Sequence, residues 1–241
     1  MAVARDRMRR RWETARKSFR FQSRGTDIAL WIVMVSRRGR RSARATLLLT
    51  GVCAAVFAFV TREVASRSAR PFDERMRRRF LRWSSTAADQ LSAAVTGLTS
   101  PPSLIASTLA IAFRVRNRGR HVWLPIAAAP FAAMLAGQSF TTFLPQQYAP
   151  RVPEPSFPSG HTTGATAEAL TIVYVLRRQG AISRTTAAMI TMLPVIGGIN
   201  RLYRDRHWTT DIIAGWSAGA AIAAILGMMS DAAAVTAASS E

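Results

Sequence analysis

The sequence is short of lysine, cysteine and acidic residues. Lys17 is the only lysine in 241 residues, so nearly all of the 33 Lys+Arg residues are arginine. There are only 13 Asp+Glu residues, and the formal net charge is therefore +20. Cys53 is the only cysteine, which excludes an internal disulfide, and it lies in an apolar run as a small hydrophobic side chain. No zinc-finger spacing, RNA-binding signature or alternating strand pattern occurs, which argues against those classes of protein.

Apolar residues are abundant and come in long blocks. They make up 49% of the chain. A basic chain suggests nucleic acid or anionic lipid as a partner, but long apolar blocks with arginine-rich flanks favour a membrane protein that binds no nucleic acid. The first long run begins only after some 44 mostly polar residues, too far from the start for a secretory signal peptide. We therefore expect a retained membrane anchor.

The apolar blocks predict an all-α, polytopic membrane protein with about six transmembrane helices in one bundle. Their composition is rich in Ala, Gly, Ser and Thr, which lets membrane helices approach closely, and Gly215 and Gly219 form a small-xxx-small pair. The predicted spans are 44–63, 102–116, 122–144, 160–176, 185–200 and 209–229.

The same blocks divide the chain into regions. Residues 1–43 form a basic N-terminal region, predicted to be partly disordered, and its apolar run Ile28–Val35 is either interfacial or part of a disordered tail. Residues 44–230 form the six-span domain, and 231–241 form a C-terminal tail.

The connector 64–101, between the first two spans, is rich in arginine. Phe72, Met76, Phe80 and Trp83 recur in it at roughly helical spacing, with arginines on the other side. This pattern predicts an amphipathic helix at the membrane interface. A binding site for anionic lipid headgroups is the functional alternative.

The first chemically suggestive stretch is "FPSGHTTG". Ser159, Gly160 and His161 stand where a helix would begin. Free backbone N–H groups and the positive end of the helix dipole make such a turn suitable for an anion, and a glycine lets the anion approach closely. The alternative is an ordinary N-cap followed by a surface histidine, and the stretch taken alone favours it.

The second stretch is "RLYRDRHWTTD". His207 and Asp211 are four residues apart and share a helix face, so the carboxylate can hold one ring nitrogen protonated and leave the other bare. Arg201 is close enough along the chain to reach the same pocket, where a guanidinium binds phosphate. A solvated basic loop is the alternative. Together with His161, these residues suggest phosphoryl transfer, and no Cys, His and carboxylate cluster indicates a metal or another cofactor.

The two motifs, Pro158–His161 ("PSGH") and Arg201-x5-His207-x3-Asp211, resemble those of the type 2 phosphatidic acid phosphatase superfamily. The resemblance extends over most of the membrane domain, including the six-span layout. It implies a metal-independent phosphatase with a phosphorylated lipid as substrate. Two linked motifs in this order are a much stronger signal than either one alone.

The resemblance also implies a role for each matching residue. His207 would attack phosphorus and become a phosphohistidine, Asp211 would orient it, and His161 would protonate the leaving oxygen and then activate water. The phosphate oxygens would be held by Ser159, the Gly160 backbone and Arg201. His121, the third histidine, lies in a different loop, where we expect it to be solvated.

The chain departs from the family at its first motif, a lysine followed after six residues by Arg-Pro. The only lysine, Lys17, is remote from the other motifs. Arg151 is the only cationic residue between the third span and "PSGH", so we expect it to supply the missing phosphate-binding charge, with Gln138 adding at most a neutral hydrogen bond. Glu168, inside a span, is expected to pair with an arginine.

Charge asymmetry predicts the orientation. The side with the N-terminal tail carries 21 Lys+Arg and the motif side carries 12, a difference that narrows to 13 against 12 when only charges near the spans are counted. The positive-inside rule then places the motifs on the extracytoplasmic side, in what we expect to be the cell (inner) membrane.

The leading hypothesis is an integral-membrane phosphatase that hydrolyses a lipid phosphate monoester or diphosphate. A lipid phosphotransferase would use an alcohol in place of water at the same phosphohistidine. An inactive homologue binding anionic lipid would explain the degenerate first motif but not the intact histidines. Vanadate-dependent haloperoxidases share related motifs, and the missing lysine argues against that activity.

Overall fold

In the computed structural model, the described residues are 26–83, 85–144, 147–148, 150–151 and 154–239. Their secondary structure is helical, apart from one isolated bridge between Tyr148 and Pro155. The α-helices are α1 (Thr26–Ala65), α2 (Arg70–Leu81), α3 (Thr86–Leu98), α4 (Pro101–Arg114), α5 (Arg120–Phe143), α6 (Gly160–Arg178), α7 (Arg184–Tyr203) and α8 (Thr209–Ser239), with a short 3₁₀ helix at Arg116–Arg118. The predicted all-α class is confirmed.

The chain divides into two compact units, residues 1–44 and residues 45–241. The predicted disorder of 1–43 falls mostly on residues 1–25, which lie outside the described residues. The backbone is helical from Thr26 to Ala65, and this helix includes the apolar run Ile28–Val35.

Four of the helices begin at a serine N-cap. A serine hydroxyl at this position accepts a hydrogen bond from one of the first N–H groups, which have no partner within the helix. In each case the serine Oγ accepts from the backbone N–H three residues later: Ser85 from Ala88, Ser100 from Ser103, Ser159 from Thr162, and Ser183 from Thr186. These four helix starts are therefore encoded locally.

Three helices are long and apolar enough to cross a membrane: Arg44–Ala65, Arg120–Phe143 and Thr209–Ala237. The pair α3 and α4, bent by 48° at its break, makes a fourth if it counts as one span. The chain is thus a membrane protein, while the count of six spans stays a prediction. Helices α6 and α7 have 19 and 20 residues, enough to span. They are less apolar than the other three, and in α6 most of the polar side chains are buried against other helices, as polar groups in membrane helices usually are.

The connector 64–101 forms two helices, α2 and α3, where one amphipathic helix was expected. Phe72 and Trp83 are exposed, whereas Asp73 is buried. Helix α2 therefore faces the rest of the protein with Asp73, while Met76 and Phe80 are half-buried and Phe72 stays outside. This arrangement suits a helix at a membrane surface, with its exposed apolar residues available to lipid.

Helix α6 lies at the centre of the bundle and packs against α5, α7 and α8. Its contact with α8 is very close because α8 presents glycines there. A Cβ on Gly215 would lie 2.9 Å from Thr162 Cβ, and a Cβ on Gly219 would lie 2.5 Å from the Thr163 carbonyl oxygen. The close approach predicted for the Gly215 and Gly219 pair is confirmed.

Two further contacts hold the motif end of the bundle. Phe157, from "FPSGH", is buried against Val60, Val64 and Ala214, so α1 covers the loop that leads into α6. Asn200 of α7 is also buried, and its amide donates to Thr96 Oγ1 at 2.9 Å and the Ser92 carbonyl at 3.3 Å, both on α3.

Helix α8 continues ten residues beyond the predicted end of the sixth span at residue 229. Alanine-rich sequence favours the helix here. Asp231, placed in the predicted tail, accepts hydrogen bonds from Tyr174 Oη and from the guanidinium of Arg178, at 2.8 Å each for the shortest contacts. Residues 231–239 thus continue α8, and Asp231 contacts α6.

Replacing Gly219 with alanine should destabilise the protein. The new methyl group would clash with the Thr163 carbonyl and Thr166 Cβ, which belong to a packed helix and cannot move independently. Overpacking of this kind costs about 1–3 kcal/mol. Gly137→Ala is the control, since nothing lies within 4 Å of its Cβ position. Thermal unfolding in detergent should show a lower Tm for Gly219→Ala only; equal Tm values would contradict the close packing.

Candidate active site

The centre of the candidate site is the start of α8. Asp211 is fully buried, and its Oδ2 atom accepts a hydrogen bond from the Trp208 backbone N–H at 2.9 Å. Trp208 is the residue before the helix and Asp211 its third residue, so the carboxylate satisfies a free N–H as the acid of a capping box does. The same oxygen lies 3.3 Å from His207 Nδ1. One carboxylate thus caps the helix and orients the histidine.

The other oxygen of Asp211 and its carbonyl anchor the loop before α6. Gln147 Nε2 donates to Asp211 Oδ1 at 3.0 Å and to Thr210 Oγ1 at 3.2 Å. The Ser159 N–H donates to the Asp211 carbonyl at 3.1 Å. The two sequence motifs, about fifty residues apart, are therefore joined through a single residue.

His161 stands on the first turn of α6, where both motifs meet. It is close enough to Arg201 and His207 for their charges to act on it. Ser159 Oγ is fully buried and accepts from Thr162 Oγ1 at 3.0 Å. The Gly160 and His161 N–H groups bond to no described residue, so both remain available to an anion. The structure brings together six of the seven predicted site residues: Ser159, Gly160, His161, Arg201, His207 and Asp211.

The chain between Arg201 and His207 follows a defined helix ending. The Arg206 N–H donates to the Arg201 carbonyl and the Asp205 N–H to the Leu202 carbonyl, the paired bonds of a Schellman motif. Asp205 occupies the left-handed position with φ 56°, where glycine is usual and aspartate is tolerated. This ending turns the chain so that His207 follows Arg201 on the same side of the bundle.

Helix α2 holds this turn through two carboxylate contacts. Arg77 donates to both oxygens of Asp205, at 2.7 Å each. Asp73 accepts from the Thr210 N–H at 3.0 Å and from Thr210 Oγ1 at 2.6 Å, which satisfies a second free N–H at the start of α8. The hydrogen bonds to Asp205 raise the pKa of Arg77, so its guanidinium stays charged. Arg70 adds a cation–π contact, 4.3 Å from the Trp208 ring centre.

Arg151 and Gln138 lie apart from this group. Gln138 is an exposed residue of α5. Arg151, also exposed, lines a cavity of about 1010 Å³ with Arg204 and Arg206 rather than with the histidines.

Glu168 has a different partner from the one expected. It is buried inside α6 and accepts a hydrogen bond from Thr108 Oγ1 of α4. No arginine pairs with it among the described residues, so the prediction of an arginine partner is wrong. A buried carboxyl group requires a hydrogen-bond donor. The threonine hydroxyl of a neighbouring helix supplies that donor without adding a second charge to the bundle.

Four residues with clear roles at this site were not singled out from the sequence: Asp73, Arg77, Gln147 and Asp205. Asp73 and Arg77 lie on one face of α2, four residues apart, but nothing in the sequence gives their distance from a loop some 130 residues later. The only available signal was Asp73 itself, an acid in an arginine-rich helix. In the described part of the chain, no group of three His, Cys, Asp or Glu residues is arranged to hold a metal ion.

Removing the Arg77 side chain should destabilise the protein by about 2 kcal/mol, because Asp205 would be left buried and unpaired. The cost is below that of a fully buried pair since the Arg77 side chain is 39% exposed. Arg78→Ala, an exposed neighbour, should have little effect. Asp205→Gly should also destabilise, although glycine suits φ 56° better. A stabilised Asp205→Gly variant in chemical or thermal unfolding would show that the ion pair contributes little.

Comparisons with known proteins agree with this geometry. The family model described as "PAP2 superfamily" matches residues 127–233, which include both motifs. A search of curated proteins finds no match. The fold is similar to that of a transmembrane PAP2-type phosphatidylglycerolphosphate phosphatase from Bacillus subtilis, at 20% identity and a TM-score of 0.61, over 76% of this chain and 96% of that one. The expected resemblance to the PAP2 superfamily is thus confirmed for the segment 127–233, which carries the candidate site.

Proposed function

We propose that this protein is an integral-membrane phosphatase that hydrolyses a lipid phosphate monoester or diphosphate through a phosphohistidine. The observation that carries the proposal is the contact between His207 and Asp211. The carboxylate is fully buried and lies 3.3 Å from Nδ1, so it favours the tautomer with a proton on that nitrogen. Nε2 then keeps its lone pair and serves as the nucleophile.

In the first step, His207 Nε2 attacks the phosphorus of the substrate. The N–P bond forms as the bond from phosphorus to the leaving oxygen breaks, and His161 gives its proton to that oxygen. Asp211 stabilises the positive charge that develops on the His207 ring. His161 lies near both Arg201 and His207, as this division of roles requires.

In the second step, water replaces the leaving group. His161, now neutral, takes a proton from water, the hydroxide attacks the phosphohistidine, and inorganic phosphate leaves with Nε2 restored. Throughout both steps the phosphate oxygens are held by Ser159, the Gly160 N–H and Arg201. Arg201 suits this task because a guanidinium offers two parallel donors to two phosphate oxygens. No metal or other cofactor takes part in this scheme.

The lipid character of the substrate follows from where the site lies. The motifs meet at one end of a membrane bundle, beside the arginine-rich helix α2, on which Phe72 and Leu81 are exposed. The similar protein from Bacillus subtilis is described as a phosphatidylglycerolphosphate phosphatase, which is in line with a phosphorylated lipid here. Arg151, the remaining predicted phosphate-binding residue, is proposed to contact an anionic group of the substrate from the neighbouring cavity.

Replacing His207 with alanine should abolish phosphate release and phosphoenzyme formation. Asp211→Asn should slow both by at least about a hundredfold, since the orienting carboxylate is lost. His161→Ala should release phosphate at least about a hundredfold more slowly, with partial recovery on a substrate that has a good leaving group. His121→Ala is the matched control. The measurement is phosphate release by the purified protein across a panel of lipid phosphates; normal turnover by His207→Ala would refute the mechanism.

We further propose that the site faces the extracytoplasmic side of the cell (inner) membrane, on the basis of the 21-to-12 charge asymmetry. In a Cys53→Ser background, Glu154→Cys in the motif loop should react with an impermeant thiol reagent on intact cells. Gln179→Cys, in the turn after α6 at the opposite end, should react only after lysis. The reverse pattern would place the site in the cytoplasm.

A further inference from the structure

A large basic cavity lies next to the candidate site and plays no part in the two-step scheme. Its volume is about 1010 Å³, and it is enclosed by α2, α3, the loop before α6 and the turn after α7. The polar or charged residues that matter most to its chemistry are Arg77, Ser92, Arg151, Arg204, Asp205 and Arg206.

The arginines of this cavity are mostly not neutralised by the protein. Asp205 is already paired with Arg77. Arg151, Arg204 and Arg206 have no ion-pair partner among the described residues. Arg204 and Arg206 also lie close enough to Arg201 for their like charges to repel it. A group of unpaired guanidiniums held together by the fold indicates a place for an anion.

A second observation points to a ligand in the same cavity. Ser92 lines it and is only 4% exposed, yet Ser92 Oγ has no hydrogen-bond partner within the described structure. A buried hydroxyl without a partner costs free energy, so such groups are usually satisfied. The carbonyl of the same residue is already used by Asn200. Ser92 Oγ is itself closed to solvent, so the hydroxyl donates to a bound group once the side chain rotates toward the cavity.

The cavity borders the candidate active site. Arg77 and Phe80 line both this cavity and the small cleft that contains His207. Arg201 is close both to the histidine pair and to Arg204 and Arg206. A substrate whose terminal phosphate lies on His207 could thus extend a second group into the cavity.

We propose that this cavity is a subsite for a second anionic group of the substrate, and that the enzyme prefers a lipid diphosphate to the corresponding monophosphate. This inference rests on the proposed function. The terminal phosphate reacts at His207, and Arg151, Arg204 and Arg206 bind the second phosphate, with Ser92 donating a hydrogen bond. When the N–P bond forms and the bridging P–O bond breaks, the same arginines stabilise the lipid monophosphate that leaves.

The test uses the full chain in neutral detergent with farnesyl diphosphate and farnesyl monophosphate, two substrates that share one tail. We expect kcat/KM of the unmodified protein to be at least about tenfold higher for the diphosphate, the effect of one charge-assisted contact. In Arg204→Gln/Arg206→Gln, kcat/KM for the diphosphate should fall at least about tenfold more than that for the monophosphate, mainly through KM. Equal losses for both substrates would overturn the subsite.

Two further variants separate the subsite from general effects. Ser92→Ala should lower kcat/KM for the diphosphate about threefold without lowering Tm, because its hydroxyl stabilises nothing in the free protein. Arg184→Gln removes an arginine from the other end of α7, about 25 Å from Arg201, and should leave the substrate preference unchanged. A loss of preference in Arg184→Gln would show that overall charge, not this cavity, selects the diphosphate.

A neighbouring lipid headgroup is the other source of a phosphate for this cavity. If it were the ligand, phosphatidylglycerol added to the micelles would change turnover of both substrates, and Arg204→Gln/Arg206→Gln would remove that response; this outcome would overturn the proposal.

Failure of the phosphatase function itself would appear differently, as no phosphate release from either substrate. Calorimetric titration with inorganic diphosphate then still tests the cavity: we expect binding weakened at least about tenfold in the double variant, and unchanged affinity would refute it.

Discussion

The candidate site depends on the buried carboxylate of Asp211. A fully buried acid is costly unless its oxygens are hydrogen-bonded, and here both oxygens are used. One carboxylate oxygen contacts the Trp208 N–H and His207 Nδ1, and the other accepts a hydrogen bond from Gln147. The backbone carbonyl of Asp211 accepts a hydrogen bond from the Ser159 N–H. The need to satisfy one residue thus fixes the start of α8, the histidine ring and the loop that leads into α6.

This arrangement requires α6 and α8 to be in close contact, which only very small residues permit. Gly215 lies against Thr162 and the Ser159 carbonyl, one turn beyond Asp211. A larger side chain there would push the first turn of α6, with His161, away from the first turn of α8. Helix packing deep in the bundle and the geometry of the motifs at its end are therefore parts of one constraint.

Arginine performs two kinds of task in this chain. Arg77 and Arg70 join the connector helix α2 to the turn at Asp205 and Trp208, through a bidentate ion pair and a cation–π contact. Arg151, Arg204 and Arg206, beside the same turn, have no anionic partner among the described residues. Part of the charge at this end of the helices therefore holds the loop, and part of it is left unpaired by the described protein.

The sequence alone determined the helical class, the membrane character and the motifs, because apolar runs, serine caps and residue spacing along one helix are local properties. It also indicated the pairing of His207 with Asp211, although His207 lies just before the first residue of α8 and not on the helix. Only the tertiary structure decided which distant groups complete the site. Helix α8 and the turn before it are contacted by Asp73, Arg77 and Gln147, which lie far away along the chain. Glu168 accepts its hydrogen bond from a threonine, where an arginine was expected. Such partners depend on how helices pack, and local spacing carries no information about them.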